Sequence, residues 1–349
     1  MFNLLKLHQS IDIGPNSWIC FGGNNLHEEV KLAIERSGRT RKEIVRDLSE
    51  KFNCSKGPFE ESFYNHKWIP IPILNFLIDN RIMFKNVILR NTEKLKVNTS
   101  KAKPITAVKN LTIDLCKIAG AFAADGNLHF RIGFQGKSKK HMNLFDDYFR
   151  LGKLYRFRTN NIKLASKFAT KINQKNIRMW QDYNIDLTDG YKISVKKYKK
   201  LIEKTFNLNL PKLREFRNAW RLNFSNKIIA RYLTTFFGFP TGKKTMVVNE
   251  PKIIKDRGNK FRGAFLQGLL TFDGCVNKRG VVYFLSKSKR LINSANEIMI
   301  NNNINPQIYN DIKRERWQIR LRKIDSEKCL KFFEPYTEKW SKLKVYYGL

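Results

Sequence analysis

Residues 118 to 126 read IAGAFAADG and residues 266 to 274 read LQGLLTFDG, each an apolar run with glycine in third place and Asp-Gly at its end. An internal repeat restricts the fold more than composition does, because both copies must answer one packing problem with the same residue types. Each copy sits in a longer helix-like stretch, LTIDLCKIAGAFAADG and FRGAFLQGLLTFDG, and each is followed by a segment that reads as strand. Gly120, with Ala119 and Ala123, and Gly268 in the other copy let two helix backbones approach closely. The closing Asp-Gly marks the helix end, where glycine permits the turn.

Packed side by side and parallel, such helices bring Asp125 and Asp273 together. Two carboxylates in one site, each near the negative end of a helix, repel unless a divalent cation stabilises both. Hard oxygen ligands suit Mg2+ (or Mn2+), and a metal-bridged pair fits in-line attack by water on a phosphodiester.

Charge points to the same class of partner. The chain of 349 residues carries 67 Lys and Arg against 30 Asp and Glu, a formal charge of +37. Self-repulsion of that size disfavours a compact fold unless a polyanion neutralises it, and nucleic acid is the obvious one; a solvated basic surface is the bland alternative. An apolar content of 42% is ample for two or three domains. Cys20, Cys54, Cys116, Cys275 and Cys329 form no CxxC pair, so neither a zinc knuckle nor a disulfide framework is indicated. The N-terminus lacks the pattern of a signal peptide, and no stretch approaches the length of a membrane span, so a cytoplasmic protein without membrane contact is expected.

Residues 27–38 (HEEVKLAIERSG) and 40–52 (TRKEIVRDLSEKF) read as two amphipathic helices joined at Gly38, with Thr40 as N-cap and Glu43 three positions on. A third helix begins near Ser55 and runs through FEESFYNHK, followed by the apolar WIPIPILNFL. After a segment 1–26, residues 27–80 are therefore expected to form a small all-α domain resembling helix-turn-helix modules, or a helical packing module. Residues 81–110 carry eight basic residues and one acid, Glu93, and read as an extended basic linker.

The repeat resembles the LAGLIDADG homing endonucleases, in particular single-chain archaeal and intein-type members with two motif copies. The likeness extends to KPITAVKNLTIDLCKIAGAFAADGNL and FFGFPTGKKTMVVNEPKII and covers about residues 103 to 345. It implies an α+β fold of two pseudo-symmetric αββαββα halves, residues 111–250 and 251–349, packed through their motif helices. It also implies that Asp125 and Asp273, at the eighth motif position, ligate metal. The sixth position, often acidic in the family, is Ala123 in one copy and Thr271 in the other. Trp220 lies 95 residues after its aspartate (220 − 125) and Trp317 lies 44 after its own (317 − 273), so about 51 residues are extra in the first half, placed near 131–180. That stretch has 13 Lys and Arg against Asp146 and Asp147, which suits an added DNA-contacting element or a surface insertion.

In the family, sheets lie in the major groove of double-stranded DNA. Alternation puts Arg316, Gln318, Arg320 and Arg322 on one face opposite Trp317, Ile319 and Leu321, and Arg221, Asn223 and Ser225 opposite Trp220, Leu222 and Phe224. A lysine after the last helix of each half serves the reaction in the family, which Lys243 or Lys244 fits in the first half and Lys339 in the second. His8, His27, His66, His129 and His141 show no metal-ligand spacing. The resemblance thus implies a monomeric, internally pseudo-dimeric DNA endonuclease. A non-catalytic DNA-binding regulator and an RNA-binding intron maturase are the alternatives. Self-splicing is not expected, since the chain lacks an N-terminal Cys or Ser nucleophile and a terminal Asn.

Overall fold

The computed structural model describes every residue except 10, 11, 13, 65–67, 100, 138–148, 152, 160–163, 165–176, 243 and 349. Its internal contacts divide the chain into two units, residues 1–109 with 130–183 and residues 110–129 with 184–349.

The first unit is not all-α at its N-terminal end. Strand β1 (Ile19–Gly22) precedes helices α1 (Asn24–Arg36), α2 (Arg41–Phe52) and α3 (Gly57–Tyr64), then come β2 (Ile69–Pro70), α4 (Ile71–Asp79), α5 (Lys85–Asn91), β3 (Lys94–Val97) and β4 (Ile105–Thr106). The strands form an antiparallel sheet in the order β2-β1-β3-β4. The helices expected over residues 27–80 form, with β2 among them, and the sheet draws its other strands from the flanking segments, β1 from the run WICF, which is too short for a helix and has all four residues buried. The segment expected as an extended linker folds for a related reason. Leu95 and Ile105 are buried partners across β3 and β4, and Lys94 and Lys96 flank Leu95 on the paired strand. The capping box at α2 forms as expected, Thr40 Oγ1 accepting from the Glu43 amide and Glu43 from the Thr40 amide at 2.7 Å.

Helix α6 (Ile113–Ala124) leads into β5 (Gly126–Gly136), which begins in the second unit and ends in the first. The extra residues of the first half supply β6 (Phe149–Leu151) and β7 (Leu154–Thr159), with β7 antiparallel to both β5 and β6. Most of the remaining insertion, with Asp146, Asp147 and His141, lies outside the described residues, as does His66. Strand β8 (Ile177–Asp189) returns the chain to the second unit.

There the first half continues with α7 (Lys192–Phe206), β9 (Arg214–Phe216), β10 (Ala219–Ser225) and α8 (Lys227–Arg231), which runs into a π turn over Tyr232–Phe236. After α9 (Lys252–Lys255), the second half repeats the order: α10 (Asn259–Asp273), β11 (Gly274–Val276), β12 (Val282–Ser286), α11 (Lys289–Ile300), β13 (Pro306–Asp311), β14 (Arg316–Leu321), α12 (Lys323–Lys328) and α13 (Glu338–Tyr347). Its sheet is antiparallel in the order β11-β12-β14-β13.

Helices α6 and α10 pack closely against each other, and glycine is what permits it. A Cβ at Gly120 would overlap the Phe265 carbonyl oxygen, and one at Gly268 would overlap that of Lys117. Lys117 and Phe265 occupy equivalent places in the two copies, so the contact obeys the repeat. The repeat also reaches past the helices. Trp220 pairs with Asp189 and carries the Lys192 ammonium 3.8 Å from its ring centre, while Trp317 pairs with Ser286 and carries that of Lys289 at 4.8 Å. Helix α10 is further fixed at its start by buried Arg262, which donates to both Glu250 oxygens and to Glu297, all at 2.8 Å. Among the described residues, no helix is long and apolar enough to cross a membrane.

Candidate active site

The second unit contains all the residues that meet around the motif helix ends. Asp125 is the C-cap of α6 and Asp273 the last residue of α10, the first exposed and the second half-buried, and desolvation pushes each carboxyl above the usual range, to about 6 and about 7, that of Asp273 also through the charge of Asp125. That effect of Asp125 on Asp273 goes with two carboxylates near one another, as the repeat predicts. The sixth-position residues add no acid. Ala123 and Thr271 are buried, and the Thr271 hydroxyl donates to its own helix, at the Gln267 carbonyl, at 2.7 Å.

Each helix end is neutralised by one lysine. Lys244 Nζ donates to the carbonyls of Phe122, Ala123 (3.0 Å) and Ala124. Lys339 Nζ donates to those of Leu270 (3.4 Å), Thr271 (2.6 Å) and Phe272 (2.8 Å). The six acceptors are equivalent triplets in the two copies, although Lys244 stands on a loop and Lys339 in the first turn of α13. The loop is held by the Gly242 amide, which donates to Leu128 at 2.8 Å, and Gly242 adopts a left-handed φ of 87°. Burial lowers Lys244 to about 8 against the opposing pull of Asp273 and Asp125, and burial also lowers Lys339. Of the two lysines expected in the first half, Lys244 takes the position; Lys243 lies outside the described residues.

Sequence reasoning missed Asp189, at the end of β8. It is buried, burial raises its carboxyl, and it interacts electrostatically with Lys339, Asp125 and Asp273. Among the described residues, no three His, Cys, Asp or Glu side chains converge as direct metal ligands.

The expected base-reading residues divide. Arg221 is held by Asp186 through Nε at 2.9 Å and Nη2 at 2.6 Å, and Asn223 donates to Asn184 at 2.8 Å and to Asp186. Arg316 is held by Asp311 at 3.1 Å. Arg322 lies past the end of β14, at the start of α12, and bonds Asp325 at 3.4 Å rather than standing on the strand face. Gln318 and Arg320 keep the expected outward positions, opposite buried Ile319 and Leu321, and Gln307 and Tyr309 of β13 share their face.

Residues 260–336 match the family profile described as a LAGLIDADG-like domain, and the first half repeats the motif helix found within them. Among solved structures, mesophilic variants of the homing endonuclease I-DmoI are similar at 14% identity and a TM-score of 0.41, over 67% of this chain and 97% of theirs. The I-LtrWI LAGLIDADG homing endonuclease bound to target DNA is similar at 12% identity and a TM-score of 0.37, over 68% of this chain and 88% of its own. WhiA from Thermatoga maritima is similar at 12% identity and a TM-score of 0.32, over 47% of this chain and 52% of its own. The curated proteins contain no match to the sequence.

Proposed function

We propose that this protein is a sequence-specific endonuclease of double-stranded DNA, which hydrolyses phosphodiester bonds at one centre built from Asp125 and Asp273 with Mg2+ or Mn2+. One observation carries the reading: two aspartates, one from each motif helix, have raised carboxyls, that of Asp273 partly through the charge of Asp125, at helix ends whose carbonyls two lysines bind. A scaffold that only binds DNA has no use for two mutually repelling acids.

The donor set fits the cofactor. Magnesium is commonly held by one or two carboxylates and completes its shell with water and substrate phosphate oxygens, so two aspartates suffice. When bound, such an ion supplies charge stabilisation at the phosphate and a more acidic water. Asp125 and Asp273 would hold it at the ends of the two motif helices. Lys244 and Lys339, anchored on helix carbonyls, present fixed positive charge where the phosphate gains negative charge. The outward faces of the two halves, with Gln307, Gln318 and Arg320 in the second, would read base edges. One chain with two halves matches two DNA strands without a second subunit. Double-strand breaks of this kind promote insertion of an intron or intein sequence, which is the role we assign.

The test is incubation of the protein with a library of duplexes and Mg2+, beside the double variant Asp125→Asn, Asp273→Asn. Cleavage of a defined duplex by the wild type alone is expected. Tight binding without cleavage of any duplex would instead make the protein a DNA-binding regulator.

A further inference from the structure

Strand β9 is an edge strand, joined to β10 by a two-residue turn. The turn residues Arg217 and Asn218 both take left-handed backbone, at φ 49° and 61°, the pair of conformations that lets a tight hairpin match the twist of its strands. Asparagine suits such a place, whereas arginine there is uncommon. Behind the turn, Arg214, Phe216 and Arg221 share one face of the ribbon, with Arg214 and Arg221 directly opposite each other. Like charges so placed repel. Arg221 is compensated by Asp186, but among the described residues Arg214 has no acidic partner. Phe216 is 45% exposed, with the Arg221 guanidinium 5.0 Å and the Arg217 guanidinium 5.1 Å from its ring centre.

An aromatic ring held against guanidinium groups has little freedom left to lose, so it can meet an apolar group at small entropic cost. The polyanion that would relieve Arg214 carries one such group in a groove that a two-stranded ribbon can enter: the 5-methyl of thymine, in the major groove of duplex DNA. We propose that the β9–β10 hairpin enters the major groove and that Phe216 is a specificity-determining residue, selecting thymine by its methyl group while Arg214 gains the anionic partner it lacks. This rests on the reading of the protein as a nuclease of duplex DNA, and it assigns one position of the target its chemistry.

Bound sequences are selected from a duplex library with the full chain and no divalent metal, and each thymine of the selected duplex is replaced in turn by deoxyuridine. At one position or more, loss of the methyl should weaken wild-type binding by about fourfold, the value of one buried methyl group, and Phe216→Ala should bind the two duplexes alike. 5-Iododeoxyuridine at that position, irradiated in the complex, should cross-link to Phe216. A wild type indifferent to deoxyuridine at every position overturns the assignment, and so does an equal deoxyuridine penalty in a folded Phe216→Ala protein. Should that variant not fold, a cross-link that maps outside residues 214–221 does the same. Mg2+ added to the selected complex separates this contact from the nuclease reading. A duplex bound with the thymine preference but left uncut overturns only the nuclease, and a duplex cut without that preference overturns only the role of Phe216.

Discussion

Gly120 and Gly268 are the residues on which the helix pair depends most sharply, because each takes the place where a methyl group would strike a backbone carbonyl of the facing helix. Backbone cannot yield as a flexible side chain does. Gly268→Ala should therefore destabilise the protein by about 1–3 kcal/mol, as overpacking does, and move Asp273 away from Asp125; urea denaturation reads the first and loss of cleavage the second. Lys244→Met should leave DNA binding nearly intact but slow single-turnover cleavage by about 10²–10³, the usual effect of removing a fixed charge-stabilising donor. These glycines and aspartates were legible in the sequence because a repeat exposes any residue that both copies keep. Asp189 was not, because it belongs to one copy alone and lies 64 residues past Asp125 (189 − 125).

Among elements, the paired helix ends carry the strongest electrostatic consequence. The carboxyls of Asp125 and Asp273 are raised above their unfolded values, so the metal-free folded chain binds more protons than the unfolded chain between about pH 4 and the raised range. Their contribution is fully favourable below about pH 4 and is lost as pH rises through the raised range. Without metal, the wild type should lose stability relative to the Asp125→Asn, Asp273→Asn variant between pH 5 and pH 7.5, and Mg2+ should restore it; thermal melts at both pH values check this. The reading strands show where alternation stops being informative. It correctly separates buried from outward residues along β10 and β14, yet it cannot show that Asp186, on a neighbouring strand, holds Arg221. Arg221→Ala should leave the buried Asp186 carboxylate without its main partner and destabilise by about 1–3 kcal/mol, whereas Arg320→Ala should leave stability unchanged and weaken DNA binding. Calorimetry paired with binding titrations separates the two.

Over the whole molecule, the charge of +37 is unevenly spread. Residues 27–64, which hold the three helices expected to resemble a helix-turn-helix, carry eight basic and eight acidic residues, whereas 81–110 carry eight and one. The balanced helices give no electrostatic reason to seek a phosphate backbone, and the basic segment does. The sequence concealed this segment's folded state because short two-residue pairings such as β3 with β4 leave little periodicity to read. The second half was legible because elements such as α10, α11 and β14 are long enough to show their period.

The central claim is that one aspartate from each half forms a single hydrolytic centre, and single-turnover cleavage of one target duplex by the wild type, Asp125→Asn and Asp273→Asn tests it most directly. Each single substitution should slow cutting of both strands by about 10³ or more while leaving duplex affinity within a few-fold, since residues that act as a unit fail together. A single variant that still cuts either strand within about tenfold of the wild-type rate would contradict a shared centre.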